Sequence, residues 1–240
     1  MSEVHHCARR NNRWSAAAAC FGLGILLILG FAPHPAHAQA MTFRLVSVGD
    51  RARCASACPV VISAEGEITN DTPNAFLSFV ERNVGTNNLH AVVFLDSPGG
   101  KVLASMEFGK ILRELGAAAI VGRIDPAAAN RRLSEFVAAR CLSACVYALM
   151  GAKKRVVPPQ SLVGIHRMFT YVDAADPDSS TVVRYRRYDN GEMAAVLERY
   201  TWAMGVSPEL IALAERISSD RIHIMSRAEI ARFHLAASKF

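Results

Sequence analysis

Long tracts of positive charge are missing from this chain. Only 20% of its 240 residues are charged, and no run of lysine and arginine interleaves with aromatic side chains. Without that electrostatic footprint, nucleic-acid binding is not expected. Metal-ligand clusters are missing as well. Beyond residue 38 the cysteines fall in two pairs, Cys54 with Cys58 and Cys141 with Cys145, and no histidine or further cysteine lies near either pair in sequence. Zinc normally needs four ligands, so neither a metal nor another cofactor is expected. The chain also has no internal repeat beyond the echo between CASAC and CLSAC, and no low-complexity tract. That removes solenoids and disordered tails from consideration.

What remains is apolar enough to fold. Hydrophobic residues make up 51% of the chain, which suits one globular domain with a substantial core. The N-terminus is organised differently. Arg9, Arg10 and Arg13 precede an apolar run from Trp14 to Phe31, then Pro33, Pro35 and Ala36-His37-Ala38. A basic start, an apolar stretch and small residues at a cleavage site describe a secretory signal peptide over 1–38. The expected location is therefore periplasmic or secreted. An uncleaved segment would instead serve as a membrane anchor, since the run is about long enough to span a bilayer. Removing three arginines and Glu3 lowers the formal charge from +6 to about +4. Cys7 and Cys20 leave with the segment. Cys54, Cys58, Cys141 and Cys145 then form an even set that allows disulfides in three pairings.

Residues 39–59 read as an N-terminal arm and 60–240 as the domain. Val60 to Ala64 is a β-branched strand between Pro59 and Gly66. Thr69 to Pro73 caps an amphipathic helix over about 73–84. His90 to Leu95 is a second strand, 102–115 a helix, and Ala117 to Val121 a third strand. Near-continuous apolar strands alternating with helices predict an α/β fold with a mostly parallel sheet flanked by helices. Residues 122–140 interrupt the rhythm as a surface excursion with some helix. Short strands follow at Val156-Val157 and Leu162–Ile165. Residues 181–204 read as a long helix bearing Arg184, Arg186, Arg187 and Arg199, either a solvated face or a contact surface. Ser207-Pro208 starts another helix, and Ser226 with Glu229 has the capping-box spacing for a last one near 227–233.

The chemistry concentrates in two stretches. Ser97-Pro98-Gly99-Gly100 sits between a strand and a helix, where two glycines let the backbone turn N–H donors toward a developing oxyanion. Cys141 to His166, CLSACVYALMGAKKRVVPPQSLVGIH, sets Ser143 among small residues at a helix start and His166 at a strand end. A hydroxyl and an imidazole in such places are a nucleophile and its base. Each has an ordinary alternative, an N-cap serine and a packed histidine; their order beside DSPGG carries the functional reading.

That order resembles the Clp-type serine peptidases, a family with the crotonase-like ββα fold, over roughly residues 60–233. VVFLDSPGGKV is similar to the family's oxyanion segment, and GAKKRVVPPQSLVGIH to its stretch between nucleophile helix and catalytic histidine. The resemblance implies Ser143 as nucleophile, His166 as general base, and Gly99 or Gly100 with Ala144 as oxyanion donors. It implies a peptide or unfolded-protein substrate, and it opens the option of a homo-oligomer built on the 181–204 segment. It also points to Asp220 as third triad member, although the spacing from Asp220 to Ser226 is about two residues longer than in the family. Ser218, Ser219 or His223 could take the orienting position, or the site could work as a dyad. An exported chain has no access to a cytoplasmic ATPase, so the family's unfolding partner is not expected. Cysteines bracketing Ser143 and the longer preceding segment depart from the cytoplasmic members and look more like a secreted, periplasmic branch. Two further readings stand beside the peptidase: a catalytically silent scaffold that binds peptides, and a serine–lysine peptidase.

Overall fold

The computed structural model describes residues 39–48, 58–83, 91–125, 136–176, 179 and 181–239, all within the compact unit His37–Phe240. The expected signal segment and Cys54 lie outside the described residues. In chain order the first elements are β1 (Thr42–Ser47), β2 (Val60–Glu65), α1 (Thr72–Asn83), β3 (Val92–Asp96), α2 (Val102–Glu114) and β4 (Ala118–Val121). Next come β5 (Arg123–Ile124), β6 (Phe136–Val137), β7 (Arg140–Leu142), α3 (Cys145–Gly151), β8 (Lys154–Val156) and β9 (Leu162–Ile165). The last are β10 (Phe169–Ala175), β11 (Val182–Tyr188), α4 (Glu192–Ala203), α5 (Glu209–Ala214), β12 (His223–Ile224) and α6 (Arg227–Arg232).

The frame is a five-stranded sheet in the order β1-β2-β3-β4-β8. Strands β2, β3, β4 and β8 run parallel, and β1 adds antiparallel at the edge. Continuous apolar strands are explained by burial on both faces. Ile62, Ala64, Val93, Leu95, Ala119 and Val121 face the large core under the helices. The alternate residues Val61, Phe94 and Ile120 pack on the opposite face with Ile124 and Val156. The fold is thus α/β, with a mostly parallel sheet flanked by helices.

Helices α2 and α3 cross at backbone contact. A Cβ on Gly151 would lie 2.0 Å from the Gly109 carbonyl oxygen, so glycine is required where they meet. Arg155 ties the C-terminal ends together. Its guanidinium donates to the carbonyls of Met150, Met204 and Leu235 at 2.9, 2.8 and 2.7 Å, and the Met204 carbonyl also accepts from Arg113 at 2.9 Å.

A second sheet, β12-β9-β7, carries the expected chemistry. It joins the first at one point, the parallel bridge between Ser97 and Cys141. That bridge brings the end of β3 and its glycine turn beside the strand leading to Ser143.

Four expectations about the elements need correction. The segment 181–204 is not one helix: Val182–Tyr188 is strand β11, paired antiparallel with β10, and only Glu192–Ala203 is helical. Val182, Val183, Tyr185 and Tyr188 are β-formers, and Arg184 is held by Asp173 directly across the pair at 2.7 Å. Within the supposed arm, Thr42–Ser47 completes the sheet as β1. In the 122–140 excursion, the described ends pair as β5 and β6, with Phe136 packing on Phe94. Helix α5 begins one residue later than expected, with Pro208 in the cap position and the Ser207 hydroxyl accepting the Glu209 N–H at 3.3 Å. The capping box at Ser226 and Glu229 is formed as expected.

Candidate active site

Ser143 occupies the junction of β7 and α3 with φ at +54°, one of two described non-glycine residues in the left-handed region. That conformation costs an L-residue about 1–2 kcal/mol, so the surroundings must impose it. They do so from both sides. The Ser143 N–H donates to the Gly164 carbonyl at 2.8 Å, while the Ser143 carbonyl accepts the Val146 N–H at 3.1 Å. Behind it Ala144 and Cys145 are fully buried. A sharp strand-to-helix turn of this kind lifts a hydroxyl clear of the backbone.

The turn fits only because Gly99 has no side chain. A Cβ there would stand 2.9 Å from Ser143 Cβ, 3.1 Å from the Ala144 nitrogen and 2.7 Å from the Leu142 carbonyl oxygen. Gly99 and Gly100 both have positive φ, at 109° and 139°. The Gly99 N–H is used within the turn, donating to the Ser97 hydroxyl at 3.1 Å. The N–H groups of Gly100 and Ala144 find no acceptor among the described residues. Of the two candidate glycines, Gly100 is therefore the one with a donor to spare.

His166 follows the last residue of β9 and is buried. Leu142 pairs with Gly164 across β7 and β9, so Ser143 and His166 end neighbouring strands, one position out of register. Among the described residues the two side chains share no hydrogen bond. His166 Nδ1 lies 2.7 Å from the Arg167 carbonyl oxygen. A carbonyl only accepts, so Nδ1 carries the proton and Nε2 keeps the free lone pair. That is the tautomer a general base requires.

The structure does not bring Asp220 to His166. Its exposed carboxylate pairs with the Arg186 guanidinium and accepts from the Ser218 hydroxyl at 3.3 Å. The same guanidinium holds its carboxyl below the usual carboxylate range. Ser219 accepts from Arg186 at 3.2 Å and meets the Tyr188 hydroxyl at 2.8 Å. His223 pairs with Glu229 at 2.8 Å. The Asp220 loop stays close to the site through the Arg167 N–H to the Ile217 carbonyl at 2.9 Å and the pairing of His223 with Ile165. The pairing of Arg186 with Asp220 is not legible in the sequence, where 181–204 reads as one helix and the residue belongs to strand β11. The local signal for the strand was the alternation of valine, arginine and tyrosine over 182–188.

Cys141 and Cys145 are disulfide-bonded to each other with Cα atoms 5.2 Å apart, bridging the turn that carries Ser143. Cys58 is disulfide-bonded too. Among the described residues no three His, Cys, Asp or Glu side chains group as metal ligands, and no helix is long and apolar enough to cross a membrane.

Fold and site together define an α/β protein that displays a strained serine beside a glycine turn with open N–H donors. No family model matches the chain. No curated protein matches it. Among solved structures it is similar to a serine-to-alanine mutant of the 1510-N membrane-bound stomatin-specific protease, with 15% identity, a TM-score of 0.46, and coverage of 74% of this chain and 78% of that one. A lysine-to-alanine mutant of the same protease, in complex with a substrate peptide, is similar at 15% identity and a TM-score of 0.45, covering 74% of each chain.

Proposed function

We propose that this chain is an exported serine peptidase of ClpP-like, crotonase-like fold, acting on peptides or unfolded proteins. The observation that carries the proposal is the close approach of Gly99 to the left-handed Ser143, with the N–H groups of Gly100 and Ala144 left without an acceptor among the described residues. In this mechanism the Ser143 Oγ attacks the scissile carbonyl as His166 Nε2 takes its proton. The negative oxygen of the tetrahedral intermediate is held by the Gly100 and Ala144 N–H groups. Collapse breaks the C–N bond, with His166 protonating the departing amine. Water then enters, loses a proton to His166 and releases the acyl group, regenerating Ser143.

The Arg167 carbonyl fixes the histidine tautomer, a task that a triad assigns to an acid. The site therefore operates as a Ser143–His166 dyad with Arg167 as orienting neighbour, unless Asp220 leaves Arg186. The cysteine pairing suits an oxidising compartment, in keeping with export. Self-association through the exposed β10–β11 hairpin and independence from an ATPase belong to the same proposal.

A fluorophosphonate probe tests it. The folded chain is expected to be labelled at Ser143, with labelling abolished in Ser143→Ala and strongly reduced in His166→Ala. A second reading, a silent peptide-binding scaffold, is favoured by the engagement of Asp220 with Arg186. Failure of the probe to label folded protein anywhere from about pH 6 to pH 9 decides for the scaffold.

A further inference from the structure

Two clefts open beside the site and share one wall, formed by Asp96 and Arg140. Arg140 begins β7, three residues before Ser143. At about 3.3 Å per extended residue, its Cα lies at most about 10 Å from that of Ser143. A side chain of a bound extended peptide, two to four residues from the bond attacked, falls within its reach.

The clefts differ in their charge. The larger, about 450 Å³, is lined by Arg44, Glu65 and Pro98 in addition to the shared wall. There Arg44 is already engaged by Glu65 at 2.7 Å, and the Ser63 hydroxyl donates to the same carboxylate oxygen at 2.6 Å. The smaller, about 330 Å³, is lined by Arg123, Gln160, Leu162, Ala138 and Ala139 in addition to Arg140 and Asp96. Among the described residues neither the Arg123 nor the Arg140 guanidinium has an acceptor, and both residues are exposed. The one carboxylate there, Asp96, already accepts the Arg140 backbone N–H at 3.2 Å. Two uncommitted guanidinium groups thus face a small cleft containing a single carboxylate. Gln160 adds a neutral polar side chain.

We infer that the smaller cleft is a carboxylate subsite, in which Arg140 and Arg123 select peptides bearing a carboxylate two to four residues from the bond attacked by Ser143. Guanidinium is suited to the task because its planar fork matches a carboxylate in two parallel hydrogen bonds. The carboxylate has two possible sources, an Asp or Glu side chain or the peptide's own C-terminus. This inference rests on the peptidase reading, and the test separates the two.

The probes are quenched fluorogenic peptides, identical except for Glu, Gln or Lys at one position, each with a free or an amidated C-terminus. With the full chain, the Glu peptide is expected to exceed the Gln peptide in kcat/KM by about tenfold, the scale of one charge-assisted pair. In Arg123→Gln/Arg140→Gln that ratio falls to about one. In Arg140→Glu the Lys peptide becomes the preferred one. A preference that follows the free C-terminus instead of the Glu residue supports the subsite and names its source. Equal rates for Glu, Gln and Lys peptides with either terminus, or a preference that survives the double substitution, overturns it. If no peptide is cleaved, the peptidase reading fails, and fluorescence anisotropy with Ser143→Ala decides the subsite alone. Tighter binding of the carboxylate-bearing peptides that is lost in the arginine variants upholds it. Equal binding, or none, overturns it.

Discussion

At the scale of single residues, two backbone positions shape the site. Ser143 is held at positive φ by bonds to Gly164 and Val146, and Gly99 leaves the space in which that turn sits. Gly99→Ala therefore combines an unfavourable φ of 109° with contacts of 2.7 Å and 2.9 Å to Leu142 and Ser143. It is expected to destabilise the fold by about 2 kcal/mol or more. Because the strain falls on the serine turn, labelling of Ser143 by fluorophosphonate should drop further than the fraction of unfolded protein accounts for. Thermal melts and labelling rates on the same sample check this. A Gly99→Ala chain with unchanged melting temperature and labelling would refute the close approach. At this scale much was legible: a serine, a histidine and a two-glycine turn carry recognisable chemistry in short windows. The choice of Gly100 over Gly99 as the free donor was not legible, because it depends on where the Ser97 hydroxyl points.

At the scale of elements, the junction of β7 with α3 is stapled by Cys141–Cys145. The staple joins a strand end to the first residue of a helix, across a turn whose conformation is costly. Closing so short a loop removes only a little chain entropy from the unfolded state, about 2 kcal/mol on the loop-closure relation. Cys141→Ala/Cys145→Ala, measured without reductant so that Cys58 keeps its bond, is expected to lose about that much in urea unfolding. No loss would mean that packing of the buried α3 alone holds the turn. The sequence left the pairing open among three possibilities. Closure within CLSAC was decided by the geometry of the turn, which sets the two Cα atoms 5.2 Å apart. The β10–β11 hairpin teaches the complementary lesson. In sequence its arginines share a helical face, yet strand pairing puts Arg184 across from Asp173 and Arg186 across from Tyr171.

At the scale of the whole molecule, several carboxylates are held ionised by the fold. The Arg186 guanidinium lowers the Asp220 carboxyl, and the Ser226 N–H and hydroxyl, with His223, lower that of Glu229. The Ala194 N–H and its neighbours at the start of α4 do the same for Asp189. A carboxyl with a folded pKa below its unfolded one stabilises the fold above the unfolded value and loses that contribution as pH falls through the folded one. The melting temperature should therefore be flat from neutral pH to about pH 5 and decline below about pH 4. Glu229→Gln, which keeps a side-chain oxygen for the capping box but removes the charge that Ser226 and His223 hold, should lower the neutral plateau slightly and make the acid decline shallower. Melting curves at fixed ionic strength check both, and a decline of unchanged depth in the variant would show that Glu229 takes no part.

What the sequence by itself determined is local. Continuous apolar strands, helix caps, glycine turns and the residues bearing nucleophilic or basic groups all follow from propensities and spacings within about ten positions. Tertiary structure decided the partnerships. It set β7 against β9, so that Ser143 takes the Gly164 carbonyl, and it turned His166 Nδ1 onto the Arg167 carbonyl. It also gave Asp220 to Arg186, 34 residues away. A charged side chain joins whichever opposite charge the folded backbone brings within reach. That competition between distant groups leaves no trace in either neighbourhood of the chain.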